Sequence, residues 1–270
     1  MNYRPFMNTI PPVVKNLIII NVLLLLATWV LQSRGVNLVE HLGMFYPGSE
    51  KFRLHQVITH MFMHGGLTHL FFNMFALWMF GRVLESIWGS RRFLIYYFVT
   101  GLGAVALHTF VMHLEISSIQ SSMEAFRNTP SPELLEQFVN RNLPNASPQI
   151  RDFIMSWHNH PSDAGHVSEG INLMDRILRL KMDIPTVGAS GAVFGVLLAF
   201  GVLFPNTQLM LLFPPIPIKA KYFVIGYGLV ELYLGFSQPG SQVAHFAHLG
   251  GMVFGYLLIK YWNKTTKHFY

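Results

Sequence analysis

Six stretches of this chain are apolar over lengths close to what a helix needs to cross a bilayer, and no other feature narrows the possible folds as much. They are 17–32, 58–80, 93–113, 188–204, 222–236 and 243–261. About 30 Å of hydrocarbon calls for about 20 helical residues, and in lipid a backbone must satisfy its own hydrogen bonds. The expected fold is therefore an all-α polytopic membrane bundle. Composition agrees: only 12% of the 270 residues are charged, against about 25% in soluble domains, and mean hydropathy is +0.37. A formal charge of +6 would suggest nucleic acid in a soluble protein, but here the basic residues sit in short loops between apolar runs, so no nucleic-acid partner is expected. The absence of cysteine excludes disulfides and thiolate chemistry. Residues 1–15 lack a compact cationic region followed by a small-residue cleavage site, so the first apolar stretch is expected to remain as a span.

Six spans put both termini on one side. Arg4 and Lys15, then Arg82, Arg91 and Arg92, then Lys219 and Lys221, then Lys260, Lys264 and Lys267 fall on the side of the termini, against Arg34, Lys51 and Arg53 in the first opposing loop. By the positive-inside rule the termini, with tails 1–15 and 262–270, are cytoplasmic. The fourth and sixth spans then begin in the outer half of the membrane. Between the third and fourth spans lies a polar, extracytoplasmic insert, 115–185. Its Ser131-Pro132-Glu133 and Ser147-Pro148-Gln149 read as helix starts, and a third amphipathic piece covers 171–182. Short helices lying on the membrane or capping the core are one reading of it, and a mobile insert is the other.

The chemistry concentrates at the two outward helix starts. Gly188-Ala189-Ser190-Gly191 opens the fourth span and Ala247-His248 opens the sixth. Ser190 Oγ would attack a carbonyl, and His248 would take its proton and pass it to the leaving amine. Gly191/Gly195 and Gly251/Gly255 form two GxxxG faces that would let these helices approach closely, with Phe194 one turn beyond Ser190 packing on the imidazole. His69 and Asn73, four apart in the least apolar span, project from one helix face. Together with the Ser190 backbone N–H at its helix start, they could donate to an oxyanion.

These residues resemble the rhomboid family of intramembrane serine proteases. Gly188-Ala189-Ser190-Gly191 is similar to that family's GxSG element, Ala247-His248-x-x-Gly251-x-x-x-Gly255 to its AHxxGxxxG, His69-x-x-x-Asn73 to its HxxxN, and Gly81-x-x-x-Glu85-x-x-x-Gly89 to its GxxxExxxG. The resemblance implies one rhomboid-like domain over 1–270, a six-helix bundle around a water-filled cavity that opens outward, and a Ser190/His248 dyad without a required aspartate. It implies hydrolysis of peptide bonds in or beside transmembrane segments of membrane-protein substrates, through an acyl-enzyme and with no cofactor or metal. Substrate access near the second and fifth spans, a movable loop before the sixth, and a bacterial inner-membrane location are further implications. Where many relatives carry Trp-Arg in the first loop, this chain has His55-Gln56.

Blander readings stand beside these. A serine among small residues in a membrane helix is by itself a packing feature, and only its combination with His248, His69 and Asn73 points to catalysis. The α/β-hydrolase GxSxG pattern fails because position 192 is alanine. His245 competes with His248 as base but lacks glycines at the right spacing, and is expected at the cavity rim. His60, His64 and His69 could ligate a metal, yet no HExxH accompanies them, so hydrogen bonding is the preferred role. Glu85 is expected to be structural, and Glu231 is an intramembrane carboxylate with no assigned role. The rival functions are a non-catalytic rhomboid-like protein that binds membrane helices for quality control, and a solute or proton transporter using the intramembrane histidines.

Overall fold

The computed structural model describes residues 10–161, 164–210, 215–237 and 244–265. Arg4 and Lys267, the outer parts of both tails and most of the expected movable loop before the sixth span lie outside them. The elements are α1 (Pro12–Gln32), α2 (Leu38–Leu42), α3 (Gln56–Thr59) running into a 3-10 turn (His60–Phe62), α4 (Leu67–Ala76), a π-helical turn (Leu77–Gly81), α5 (Arg82–Trp88), α6 (Ser90–Asn128), α7 (Pro132–Asn142), α8 (Pro148–Asn159), α9 (Ala164–Met182), α10 (Ser190–Leu203), β1 (Gln208–Met210), β2 (Pro217–Lys219), α11 (Ala220–Ser237) and α12 (His245–Thr265). The protein is mostly helical. Among the described residues three helical stretches are long and apolar enough to cross a membrane, Pro12–Gln32, Leu67–Trp88 and Ser90–Asn128, while the apolar α10 is shorter at 14 residues. Leu23, Val30, Phe71, Phe72, Leu229 and Tyr233 lie exposed on α1, α4 and α11, a surface suited to lipid rather than water.

Two expectations about helix limits are corrected. The second apolar stretch is not one helix from residue 58, because it breaks at Met63–Gly66 and resumes at Leu67. Gly65-Gly66 explains the break, each glycine costing about 1 kcal/mol relative to alanine inside a helix. The third helix does not stop near residue 113 but runs to Asn128. No glycine or proline interrupts residues 104–129, and Ser121 and Ser122 bond back to the carbonyls of Ser117 and Ser118, both at 3.0 Å. The hairpin of β1 and β2, with Leu209 opposite Ile218, is not foreseen by the sequence pattern, since runs of three residues carry no readable periodicity.

The chain folds as two compact units, 1–44 with 53–109 and 185–270, and 45–52 with 110–184, so the boundary falls inside α6. The second unit has its own core. Ile116, Ile119, Met123 and Phe126 of α6 line up at helical spacing and pack with Leu135, Trp157, Met174 and Ile177, the Phe126 and Trp157 rings meeting edge-on at 5.8 Å. Ser131 caps α7, its Oγ accepting the Leu134 N–H at 3.3 Å; Ser147 stands at the start of α8 without a side-chain cap bond. Ser49 Oγ donates to Asp183 at 2.5 Å, and Lys181 pairs with Glu115.

In the first unit α10 is the central element, with 11 of its 14 residues buried. At the far end of that unit the first turn of α1 is closed by a side chain from α5. The Val13 and Val14 amides, unpaired at a helix start, donate to the Glu85 carboxylate at 3.0 and 2.8 Å, and Ser90 Oγ donates to it at 2.6 Å. Gly89, at φ +77°, then turns the chain from α5 into α6, a left-handed position that favours glycine. Glu85→Ala strands two amides in a buried place, and is expected to cost about 2–4 kcal/mol. A drop in thermal stability in detergent, with Glu85→Gln intermediate, is the measurement that checks this.

Candidate functional site

The site is assembled at the start of α10. Thr186 exchanges backbone hydrogen bonds with Met44 at 3.0 and 2.8 Å, and the Gly188 N–H donates to the His60 carbonyl at 2.9 Å. These bonds hold the chain entering the helix. Gly188 has φ +128°, and a Cβ there would lie 2.8 Å from His69 Cε1 and 2.9 Å from Nε2. Glycine at 188 therefore lets the His69 ring sit against the backbone two residues before Ser190.

Ser190 is the first residue of α10, so its amide is among those a helix start leaves unpaired. Its Oγ lies 2.8 Å from His248 Nε2. The imidazole is fixed from one face by Phe194, whose ring stacks on it at 4.1 Å between centroids and 4° between planes. Close helix approach makes this possible, though the two GxxxG faces are not simply paired. A Cβ on Gly251 would overlap the Gly191 carbonyl, so those two glycines meet backbone to backbone. Gly195 and Gly255 instead make room for α6, facing Thr100 and Tyr96, and the Tyr96 hydroxyl donates to the Gly195 carbonyl at 2.8 Å. Sequence spacing identifies the small residues but assigns them to one interface, whereas three helices share them.

Asn73 is buried in α4, and its Nδ2 donates to the His69 carbonyl at 2.9 Å. One of its two N–H groups is thus used within its own helix. His69 Nδ1 faces the Gly65 N–H at 3.4 Å, which in that tautomer leaves Nε2, on the Gly188 side, as the donor. His60 is buried and bonds the Gln56 carbonyl through Nδ1 at 2.9 Å. His64 is buried, and among the described residues neither ring nitrogen has a hydrogen-bond partner; the ring lies edge-on to His69 at 5.0 Å. These three histidines do not form a metal-ligand group among the described residues. The His55-Gln56 departure is accommodated by local bonds: His55 Nε2 contacts the His41 carbonyl at 2.8 Å, Gln56 Oε1 accepts the Arg53 N–H at 2.9 Å, and Gln56 is fully buried.

Sequence alone leaves Glu231 without a role and puts His245 at a rim. Both are buried. The Glu231 carboxylate of α11 takes a hydrogen bond from His245 Nδ1 at 2.7 Å and lies 2.9 Å from His248 Nδ1. The second contact is not aligned as a hydrogen bond, and among the described residues Nδ1 of His248 has no hydrogen-bond partner. The signal in the sequence is a lone carboxylate in an apolar helix, which marks function only in outline. Glu231, His245 and His248 each offer a ligand atom within 4.8 Å of the others, so the cluster could hold a divalent ion. Two ligands about 2.05 Å from one tetrahedral zinc stand about 3.3 Å apart, and the spacings of 2.7 and 2.9 Å are shorter than that.

Beside Ser190 is a cavity of about 20 Å³ lined by His60, Ala104, Thr186, Gly188 and Ala247, room for about one water molecule.

A family described as Rhomboid domain matches residues 51–118 and 164–264. The chain is 39% identical over 56 residues to Rhomboid protease GluP of Bacillus subtilis, covering 20% of this chain and 11% of that protein. It is 33% identical over 92 residues to Rhomboid protein 1, mitochondrial, of Saccharomyces cerevisiae, covering 34% and 26%, and 39% identical over 70 residues to RHOMBOID-like protein 6, mitochondrial, of Arabidopsis thaliana, covering 26% and 22%. The matched stretches thus span between 11% and 26% of these relatives' own lengths.

Proposed function

Because the chain belongs to the rhomboid family, we propose that it is an intramembrane serine endopeptidase that cleaves membrane-protein substrates in or next to a transmembrane segment. Ser190 Oγ attacks the scissile carbonyl as its proton moves to His248 Nε2. The tetrahedral oxyanion is met by His69 Nε2–H, the Ser190 amide and the second N–H of Asn73. The C–N bond then breaks, His248 returns the proton to the leaving amine, and water hydrolyses the acyl-enzyme by the same route in reverse. The observation that carries this reading is the 2.8 Å contact between Ser190 Oγ and His248 Nε2, since a hydroxyl needs a base within hydrogen-bond reach to become a nucleophile. A substrate helix has to unwind locally, because a helical amide is shielded by its own hydrogen bonds.

The proposed membrane arrangement has six spans with both termini cytoplasmic, tails 1–15 and 262–270, and an extracytoplasmic insert 115–185. Its support is the distribution of aromatic and basic residues. Arg82 lies over Trp78 at 4.7 Å and Arg92 over Trp262 at 4.6 Å, pairs suited to the headgroup level. His248 stands 14 residues before Trp262 on α12, about 21 Å along the helix, so the catalytic pair would lie toward the opposite leaflet. We assign the protein to a bacterial inner membrane on the economy of six spans; two of the similar proteins are mitochondrial by name, and an organelle membrane is the competing location.

Labelling of the purified protein by a fluorophosphonate, with the adduct mapped by mass spectrometry, tests the proposal. Modification at Ser190 supports it; absence of modification in folded protein favours a helix-binding role. Gly188→Ala is expected to slow that labelling about tenfold or more, because alanine is strained at φ +128° and its Cβ would crowd His69.

A further inference from the structure

Resting on the reading of Ser190 and His248 as the catalytic pair, we propose that Glu231 is a positioning residue for His248, held in place by His245, which orients the imidazole and stabilises the imidazolium that forms during cleavage. The transferred proton sets the first requirement. To receive it from Ser190 at Nε2, neutral His248 must carry its hydrogen on Nδ1, and that nitrogen is buried without an aligned acceptor among the described residues. The Glu231 Oε2, 2.9 Å away, is the group placed to accept it. An ionised carboxylate has about four lone-pair sites and a broad terminal torsion, so it can serve His245 and His248 together.

Glu231 also needs an explanation of its own. It sits within the apolar helix α11, where a carboxylate is costly unless something pairs with it. His245 supplies one hydrogen bond at 2.7 Å, and a protonated His248 would supply the countercharge. In the transition state the proton has left Ser190 for His248 Nε2, negative charge sits on the substrate oxygen, and Glu231 keeps its own charge throughout without taking the proton. A fixed negative group beside the ring then stabilises that state more than the resting one, which is the requirement for rate enhancement. Two further titratable groups lie near this pair: Tyr227, one turn from Glu231 on α11 and tilted against Phe194 at 5.3 Å, is close to the Glu231 charge, and His69 of α4 is close to His248.

The experiment compares wild type, Glu231→Gln, Glu231→Asp and Ser190→Ala in proteoliposomes, measuring cleavage of a fluorescent membrane-anchored reporter against pH and the rate of fluorophosphonate labelling, with folding checked by thermal melting. Glu231→Gln should lower kcat about 100-fold with KM within about twofold, move the acidic limb of the kcat/KM profile to lower pH, and slow labelling in parallel. Glu231→Asp, which keeps the charge, should recover part of the rate. A folded Glu231→Gln protein with wild-type kcat, pH profile and labelling rate overturns the positioning role alone. A wild-type protein that is neither labelled nor cleaves in a Ser190-dependent way overturns the catalytic reading, and this role with it.

Discussion

Ser190→Ala is expected to lower the cleavage rate of a membrane-anchored reporter about 10⁴-fold or more while leaving the melting temperature within about 2 °C of wild type. In the proposed mechanism the serine, the base and the oxyanion donors act as a unit, so the rate loss is large: without the nucleophile the rest cannot form the acyl-enzyme. The stability change is small because one hydroxyl at the start of α10 is removed, and its partner His248 stays stacked on Phe194 and beside Glu231. Substrate binding should survive, since the groups that would grip an unwound segment are untouched. Single-turnover cleavage in proteoliposomes together with a melting curve separates these effects. A Ser190→Ala protein that cleaves at the wild-type rate rejects the serine mechanism.

Gly251→Val should produce the largest loss of fold. A Cβ at position 251 would overlap the carbonyl of Gly191, backbone against backbone, with no flexible side chain able to move aside. The valine forces α10 and α12 apart, and His248, one turn before Gly251, moves with α12 while Ser190, adjacent to Gly191, moves with α10. The variant is expected either to fail to accumulate as monodisperse protein or to melt at least about 10 °C lower, a shift that corresponds to several kcal/mol and is typical of severe overpacking. Any folded fraction should be inactive and unlabelled at Ser190. Gly226→Ala is the control: a Cβ there meets nothing within 4 Å, and alanine raises helix propensity by about 1 kcal/mol, so its stability and labelling should match or exceed wild type. Equal behaviour of the two variants would remove close helix contact as the device that unites the site.

Much of this arrangement can be read from the residues alone. Apolar runs demand helices because lipid offers backbone groups no other partner, and a serine and a histidine at two helix starts, each followed by small residues, imply two helices in close contact. Ser190, His248, Gly191, Gly251 and Phe194 are all legible for that reason, as is Ser131 as a cap. The family motif also singles out Glu85, but only the folded structure brings it to its partners, the amides of Val13 and Val14, more than 70 positions away in the chain. Glu231 is visible only as an odd charge in an apolar helix, since nothing local says that it lies between His245 and His248 across an interhelical contact. The same holds for Gly195 and Gly255, which face Thr100 and Tyr96 of a third helix. Period and propensity act over one or two turns and so fix which face of a helix is special. Which neighbour that face meets depends on the packing of the whole bundle, and that was decided by the tertiary structure alone.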